Sequence, residues 1–156
     1  MKLLDRHPIT DRSTLMQVQG ELVDIYRTQI VVGVSIGDKR RFPALLDTGH
    51  SHNMSIARRH LQRWSGAKLE QIGELAIGRE RVPQFDAKVD IYRSVKGVLS
   101  TETYPLEMPQ GFSVIDDASE EAPGLPIIGL RTHISNKLKL IVDGAEQNVT
   151  LKTDWL

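Results

Sequence analysis

The run from Ala44 to Ile56, ALLDTGHSHNMSI, brings an aspartate to the end of an apolar stretch. A small hydroxyl residue, a glycine and a polar turn follow it. An acid so placed has two ordinary uses. It can cap backbone amides at a strand-to-turn corner, or it can do proton chemistry on an exposed loop. Adding water to a carbonyl needs one group to take a proton from water while another holds a proton for the carbonyl oxygen. Two carboxylates in close contact divide those roles, because like charges that near cannot both ionise, and one stays protonated at moderately acidic pH. The pair then works as coupled base and acid, without metal, cofactor or covalent intermediate.

Asp-Thr-Gly occurs once, at Asp47, Thr48 and Gly49, and Asp-Ser-Gly does not occur. The second carboxylate therefore has to come from another molecule, and a two-fold axis between two Asp47 side chains is the simplest way to place it. A homodimer follows as an expectation. The triplet alone would arise by chance in on the order of a few per cent of chains this long. Its surroundings are more specific: an apolar strand before it, a turn after it, and Ile127-Ile128-Gly129 about eighty residues downstream.

Leu45-Leu46-Asp47-Thr48-Gly49, then Ser51 and Asn53, then Ile127-Ile128-Gly129, then Asp143-Gly144 resemble in order and spacing the retropepsin-like aspartic proteases, especially their retrotransposon and bacterial branch. The likeness covers roughly Gln29 to Lys152. It implies a mainly β fold, a closed acid-protease β-barrel with one or two short helices, active as a two-fold dimer. It implies an endopeptidase acting on an extended peptide or protein substrate that adds strand pairing to the cleft. By the resemblance Asp47, Thr48 and Gly49 are the catalytic triplet, with Thr48 bonding across the two-fold and Gly49 leaving room for substrate backbone. Gly78 would be the tip of a substrate-covering flap within Gly73 to Pro83. Ile127 and Ile128 would line the substrate pocket and buttress the loop, and Gly129 would permit a tight crossing of strands.

Two departures stand next to the motif. His50 occupies a position where the family carries alanine or serine, and it either fills space or alters how the acid pair titrates. Ser51 replaces an acidic residue of viral members, and Leu130-Arg131 replaces their arginine directly after the glycine. His50 and Ser51 are counted with the substrate-binding positions. His50-x-His52 has no convincing third ligand, so no metal site is expected. Two other readings stay open: a dimeric peptide-binding module of the same fold that has lost turnover, and a structural β-barrel using the triplet only as a turn.

The elements that must hold these residues are short and β-rich. Strands are expected over Leu15 to Tyr26 with a break at Gly20, over Gln29 to Ile36, and over Arg40 to Asp47 after a Gly37-Asp38 turn. Phe42, Ala44 and Leu46 share a face there, and Pro43 asks for an edge or a bulge. Ser55 to Trp64 has helical spacing, with Asn53 or Ser55 as cap and Gly66 as stop. A hairpin is expected from Leu69 to Ile77 and back through Val82 to Tyr92 around Gly78-Arg79-Glu80. Val95 to Met108 has partial strand character, and the acidic stretch Ile115 to Gly124 reads as a surface loop. A short helix over Leu130 to Asn136 precedes a hairpin, Leu138 to Val142 and Asn148 to Lys152, turning at Asp143-Gly144.

The chain of 156 residues is expected to form a single domain, with its core from about 15 to 152. Twenty basic and twenty acidic side chains cancel, which offers no footprint for nucleic acid. There is no cysteine, which excludes thiolate catalysis and disulfides. Met1 to Gln19 is interrupted by charges and a proline, unlike the apolar core of a signal peptide. No run is long and apolar enough for a membrane helix. A cytoplasmic protein without cofactor or membrane partner is the resulting expectation.

Overall fold

The computed structural model describes residues 2–8, 13–26, 29–37, 40–65, 69–95 and 98–154. The expected Gly37-Asp38 turn and the Gly66 stop involve residues outside that set.

The chain is mainly β with two short helices. Two central strands, β4 (Val31–Ile36) and β5 (Phe42–Leu46), follow an amino-terminal strand β1 (Lys2–Pro8) and a separate hairpin, β2 (Ser13–Val18) with β3 (Glu21–Tyr26). The hairpin turns at Gln19-Gly20, both with positive φ, as a tight turn joining right-twisted strands requires. Strand β5 pairs with β4 along Phe42 to Leu45, and Pro43 sits opposite Gly33. Its other edge is met only at Leu45 and Leu46, so the missing proline N–H falls where no ladder bond is asked of it.

After Asp47 the chain forms β6 (Met54–Ala57) and then α1 (Arg58–Trp64). The expected helix over Ser55 to Trp64 therefore begins three residues late. All four β6 residues are buried, because the strand is inserted between two neighbours, and sheet pairing outweighs the helical spacing of Ile56 and Ala57. Helix α1 starts at Ala57 without a side-chain cap of its own. Asp117, from the acidic stretch, accepts the Arg59 N–H at 3.1 Å instead.

The hairpin expected around Gly78 is present as β7 (Glu70–Ile77) and β8 (Glu80–Asp86), joined by Gly78-Arg79. Its return arm does not continue to Tyr92. It breaks at Ala87-Lys88, and β9 (Val89–Val95) then joins a different part of the sheet, against β4. Strand β10 (Val98–Leu106) lies on the opposite edge of β9. Strand β11 (Phe112–Ile115), which the sequence reading did not identify, is wholly buried between β6 and β8.

Ile127–Ile128 is β12, and α2 (Leu130–Ser135) follows directly. The closing hairpin is β13 (Leu138–Asp143) with β14 (Asn148–Thr153). The expected turn at Asp143-Gly144 is present as part of a longer connection. Four residues, Gly144 to Gln147, bridge the strands, the positive φ falls at Gln147, and Asp143 Oδ1 accepts the amides of Ala145 and Glu146 at 3.0 Å. The Asp143 carboxylate organises a longer loop.

The main sheet runs β13-β14-β1-β9-β4-β5-β12-β6-β11-β8-β7, with β10 branching from β9. Its core packs Val34, Ile36, Phe42, Met54, Ile56, Trp64, Ile91, Phe112 and Ile128. Among the described residues no helix is long and apolar enough to cross a membrane.

Candidate active site

Asp47 leaves β5 at the point where two chain segments cross. Strand β12 lies beside β5 in parallel, Ile127 against Leu45 and Ile128 against Leu46. On its other side it pairs antiparallel with β6, Ile127 against Ser55 and Ile128 against Met54. The loop 47–53 thus departs from one neighbour of β12 and returns as the other. Its backbone is fastened at both ends: Asp47 N donates to Ile128 O at 3.0 Å, and Gly129 N donates to Asn53 O at 2.8 Å. Leu130 N adds a bond to His50 O at 2.7 Å.

Gly129 is dictated by this crossing. A β-carbon there would overlap the His52 carbonyl oxygen and stand 2.5 Å from that of His50. No side chain fits.

Within the loop, Asp47 Oδ1 accepts the Gly49 N–H at 2.9 Å, and His50 N donates to Asp47 O at 3.1 Å. The carboxylate therefore does perform the amide-capping role open to any aspartate at such a corner. That bond also fixes its rotamer at the surface: Asp47, Thr48 and Gly49 are all exposed in the single chain. No other acid is bonded to Asp47 among the described residues.

His50 is half-buried, and its Nε2 lies 2.9 Å from Ser55 Oγ on β6. Its ring meets that of His52 edge-on at 5.3 Å. Burial pushes the His50 imidazole below its ordinary range, His52 adds to this, and Asp47 opposes it. His52 is also pushed down, by burial and then by Arg131. No group of acids and histidines able to hold a metal is found among the described residues.

The other anticipated residues fall into two groups. Ser51 is exposed on the loop, and Ile127 is half-buried beside it, whereas Ile128 is fully buried in the core. Of the two isoleucines only Ile127 has surface to offer a ligand; Ile128 supports the loop from beneath. Gly78 is exposed at the hairpin tip with positive φ. The tip rests on the acidic stretch, Gly78 near Glu121 and Glu80 Oε2 accepting from Ser119 Oγ at 2.6 Å.

No protein-family model matches the chain, and no curated protein matches it in sequence. Among solved structures, it is similar to the EIAV protease complexed with the inhibitor HBY-793, at 19% identity and a TM-score of 0.40, over 68% of this chain and 86% of that one.

Sequence reasoning missed the residue that braces the loop from behind. The buried Asn53 side chain donates to Pro109 O at 2.7 Å and Gly111 O at 2.8 Å, while the main-chain carbonyl of Asn53 accepts from Gly129 N and from Thr132 Oγ1 at 2.9 Å. One asparagine ties the Asp47 loop, the turn before β11 and α2 together. The junction combines the two N–H donors of the side-chain amide with the main-chain carbonyl of the same residue as acceptor. The only signal in the chain was its place in the motif, which suggested a helix cap.

Proposed function

We propose that the protein is an aspartic endopeptidase of retropepsin-like type, acting as a homodimer on an extended peptide or protein substrate. The observation that carries this reading is the Asp47 loop. A single exposed carboxylate accepts the Gly49 N–H, and the Asp47 main-chain N–H donates to Ile128 O, at a crossing where Gly129 admits no side chain. Rigid presentation of one acid at a bare surface suits a site completed by its symmetric copy.

On this reading the chain is one domain, 1–156 with its core at about 15–152, and two copies complete the barrel-like enclosure around the dyad. The two Asp47 carboxyls share a proton. The ionised one removes a proton from water, which attacks the peptide carbonyl, while the protonated one donates to the carbonyl oxygen. Thr48 bonds across the two-fold, Gly49 lets substrate backbone approach, and the hairpin carrying Gly78 covers the peptide. His50, Ser51 and Ile127 line the cleft, with Ile128 and Gly129 behind it.

The deciding experiment is Asp47→Asn in a protein that still dimerises, assayed on a peptide library from acidic to neutral pH. Cleavage should be abolished; undiminished cleavage would remove Asp47 from the reaction.

A second reading is favoured by one observation, the half-buried His50 held by Ser55 beside Asp47. A peptide-binding module without turnover would bind library peptides and yield no products. Products suppressed by a pepstatin-type inhibitor would exclude it.

A further inference from the structure

Among the described residues, strand β7 is the last strand of the main sheet and pairs only with β8. A free strand edge is a template for an added strand. The ladder between β7 and β8 is interrupted between Gln71 and Gly73. The extra residue, Ile72, stands 48% exposed, and bulges of this kind re-aim side chains next to functional sites.

Beside the bulge is a cavity of about 350 Å³ lined by Asn53, Ile72, Glu74, Leu75, Gln84 and Arg131, among others. It has room for one side chain and the water around it. Its charges are unequal in availability. Glu74 is taken up by Arg81, Nε to Oε2 at 2.9 Å. Arg131 is exposed in the first turn of α2 and has no ion pair among the described residues. The one uncommitted charge facing the cavity is a guanidinium.

The cavity lies within reach of the proposed site. Asn53, on its wall, ends the loop that begins at Asp47, and seven residues extend at most about 20 Å. An extended peptide rises about 3.3 Å per residue, so a side chain no more than about six positions from the scissile bond reaches the cavity.

We propose that this cavity is a specificity subsite for an acidic side chain of the bound peptide, with Arg131 as the partner of its carboxylate. The inference rests on the peptide-cleaving reading of Asp47, and it adds the class of substrate: peptides carrying aspartate or glutamate a few residues from the cut.

The test separates the two claims. Asp47→Asn protein is titrated with fluorescent peptides in which a single Glu or Gln is moved one position at a time. Wild-type protein is assayed for cleavage of the same set. At one position the Glu peptide should bind roughly threefold to tenfold tighter than its Gln twin, as for a charge-assisted pair at a partly exposed site. Adding Arg131→Gln should erase that difference and Arg131→Glu should reverse it, with unchanged thermal melting. Equal binding of every Glu and Gln pair, a preference surviving Arg131→Gln, or no peptide binding at all would overturn the subsite. Arg131-dependent binding with no cleavage by wild-type protein would leave the subsite standing and sink the endopeptidase. Cleavage without any acidic preference would do the reverse.

Discussion

The amide of Asp47 donates to the carbonyl oxygen of Ile128 across 3.0 Å, joining two residues about eighty apart in the chain. Asp47 is exposed and Ile128 fully buried. The exposed end of the loop is therefore hung directly on the core.

Gly129 sets how closely the two segments approach. Gly129→Ala would drive a methyl into the backbone at His52 and His50, which cannot give way as a flexible side chain would. The expected loss is about 3 kcal/mol or more, the upper end of the range for overpacking. Thermal melting should fall by about 6–12 °C for a domain of this size, with any peptidase activity lost in step.

The dyad makes a quantitative demand on mixtures. If each active unit needs one Asp47 from each of two chains, wild-type and Asp47→Asn protein that exchange freely will form mixed dimers holding one competent carboxyl. Activity at constant total protein should fall as the square of the wild-type fraction. A linear fall would mean that each chain acts alone.

His50 gives a signature in pH. Its imidazole is pushed below the ordinary range mainly by burial, so it becomes charged only on the acidic side of that range. There a cation near Asp47 favours the ionised carboxyls and lowers the pH at which the pair first deprotonates. In His50→Ala the acidic limb of the rate profile should move to higher pH, while the upper limb, where His50 is neutral in either case, stays in place. Movement of both limbs together would assign the effect to altered geometry.

Much of this centre was legible because it is local. Asp47-Thr48-Gly49 and Ile127-Ile128-Gly129 each declare themselves within a few residues. The segments that were misread are those whose state is decided by distant neighbours. Ser55, Ile56 and Ala57 have helical spacing but are drawn into a strand by Ile127 on one side and Ser113 on the other. Phe112 to Ile115 is too short for a period to show, and only its burial between β6 and β8 makes it a strand. Asn53 was unreadable for the same reason: its partners Pro109, Gly111, Gly129 and Thr132 lie more than fifty positions away.

His60 predicts acid sensitivity elsewhere in the molecule. The ring is buried, stacks on Trp64 at 4.1 Å, and leaves Nδ1 without a hydrogen bond. Burial and Arg59 lead in pushing its pKa down to about 4, Glu21 and Asp117 oppose this, and Arg63 assists. The folded value is depressed, so between about 6.5 and about 4 the unfolded chain binds the extra proton, and stability falls as pH falls through that window. The full shift would amount to about 3 kcal/mol. Screening around the charged flank of α1 reduces this to about 1–2 kcal/mol. His60→Phe keeps the stack and should flatten melting temperature against pH between 7 and 4.5; an unchanged slope would clear His60 of the effect.

Ile77, Val82 and Ile115, with Leu75 and Ala122, make a small apolar cluster of their own, apart from the large core. The tip of the Gly78 hairpin, beyond the β8–β11 pairing at Gln84 and Phe85, can thus part from the body by opening a handful of contacts while the principal core remains shut. Such a unit unfastens at a fraction of the global unfolding free energy. Lifting would also tug on Glu121 and Ser119, and through them on the segment leading to Ile127. On the proposed reading, in which this hairpin covers the peptide and Ile127 lines the cleft, cover and floor would loosen together and open in one motion.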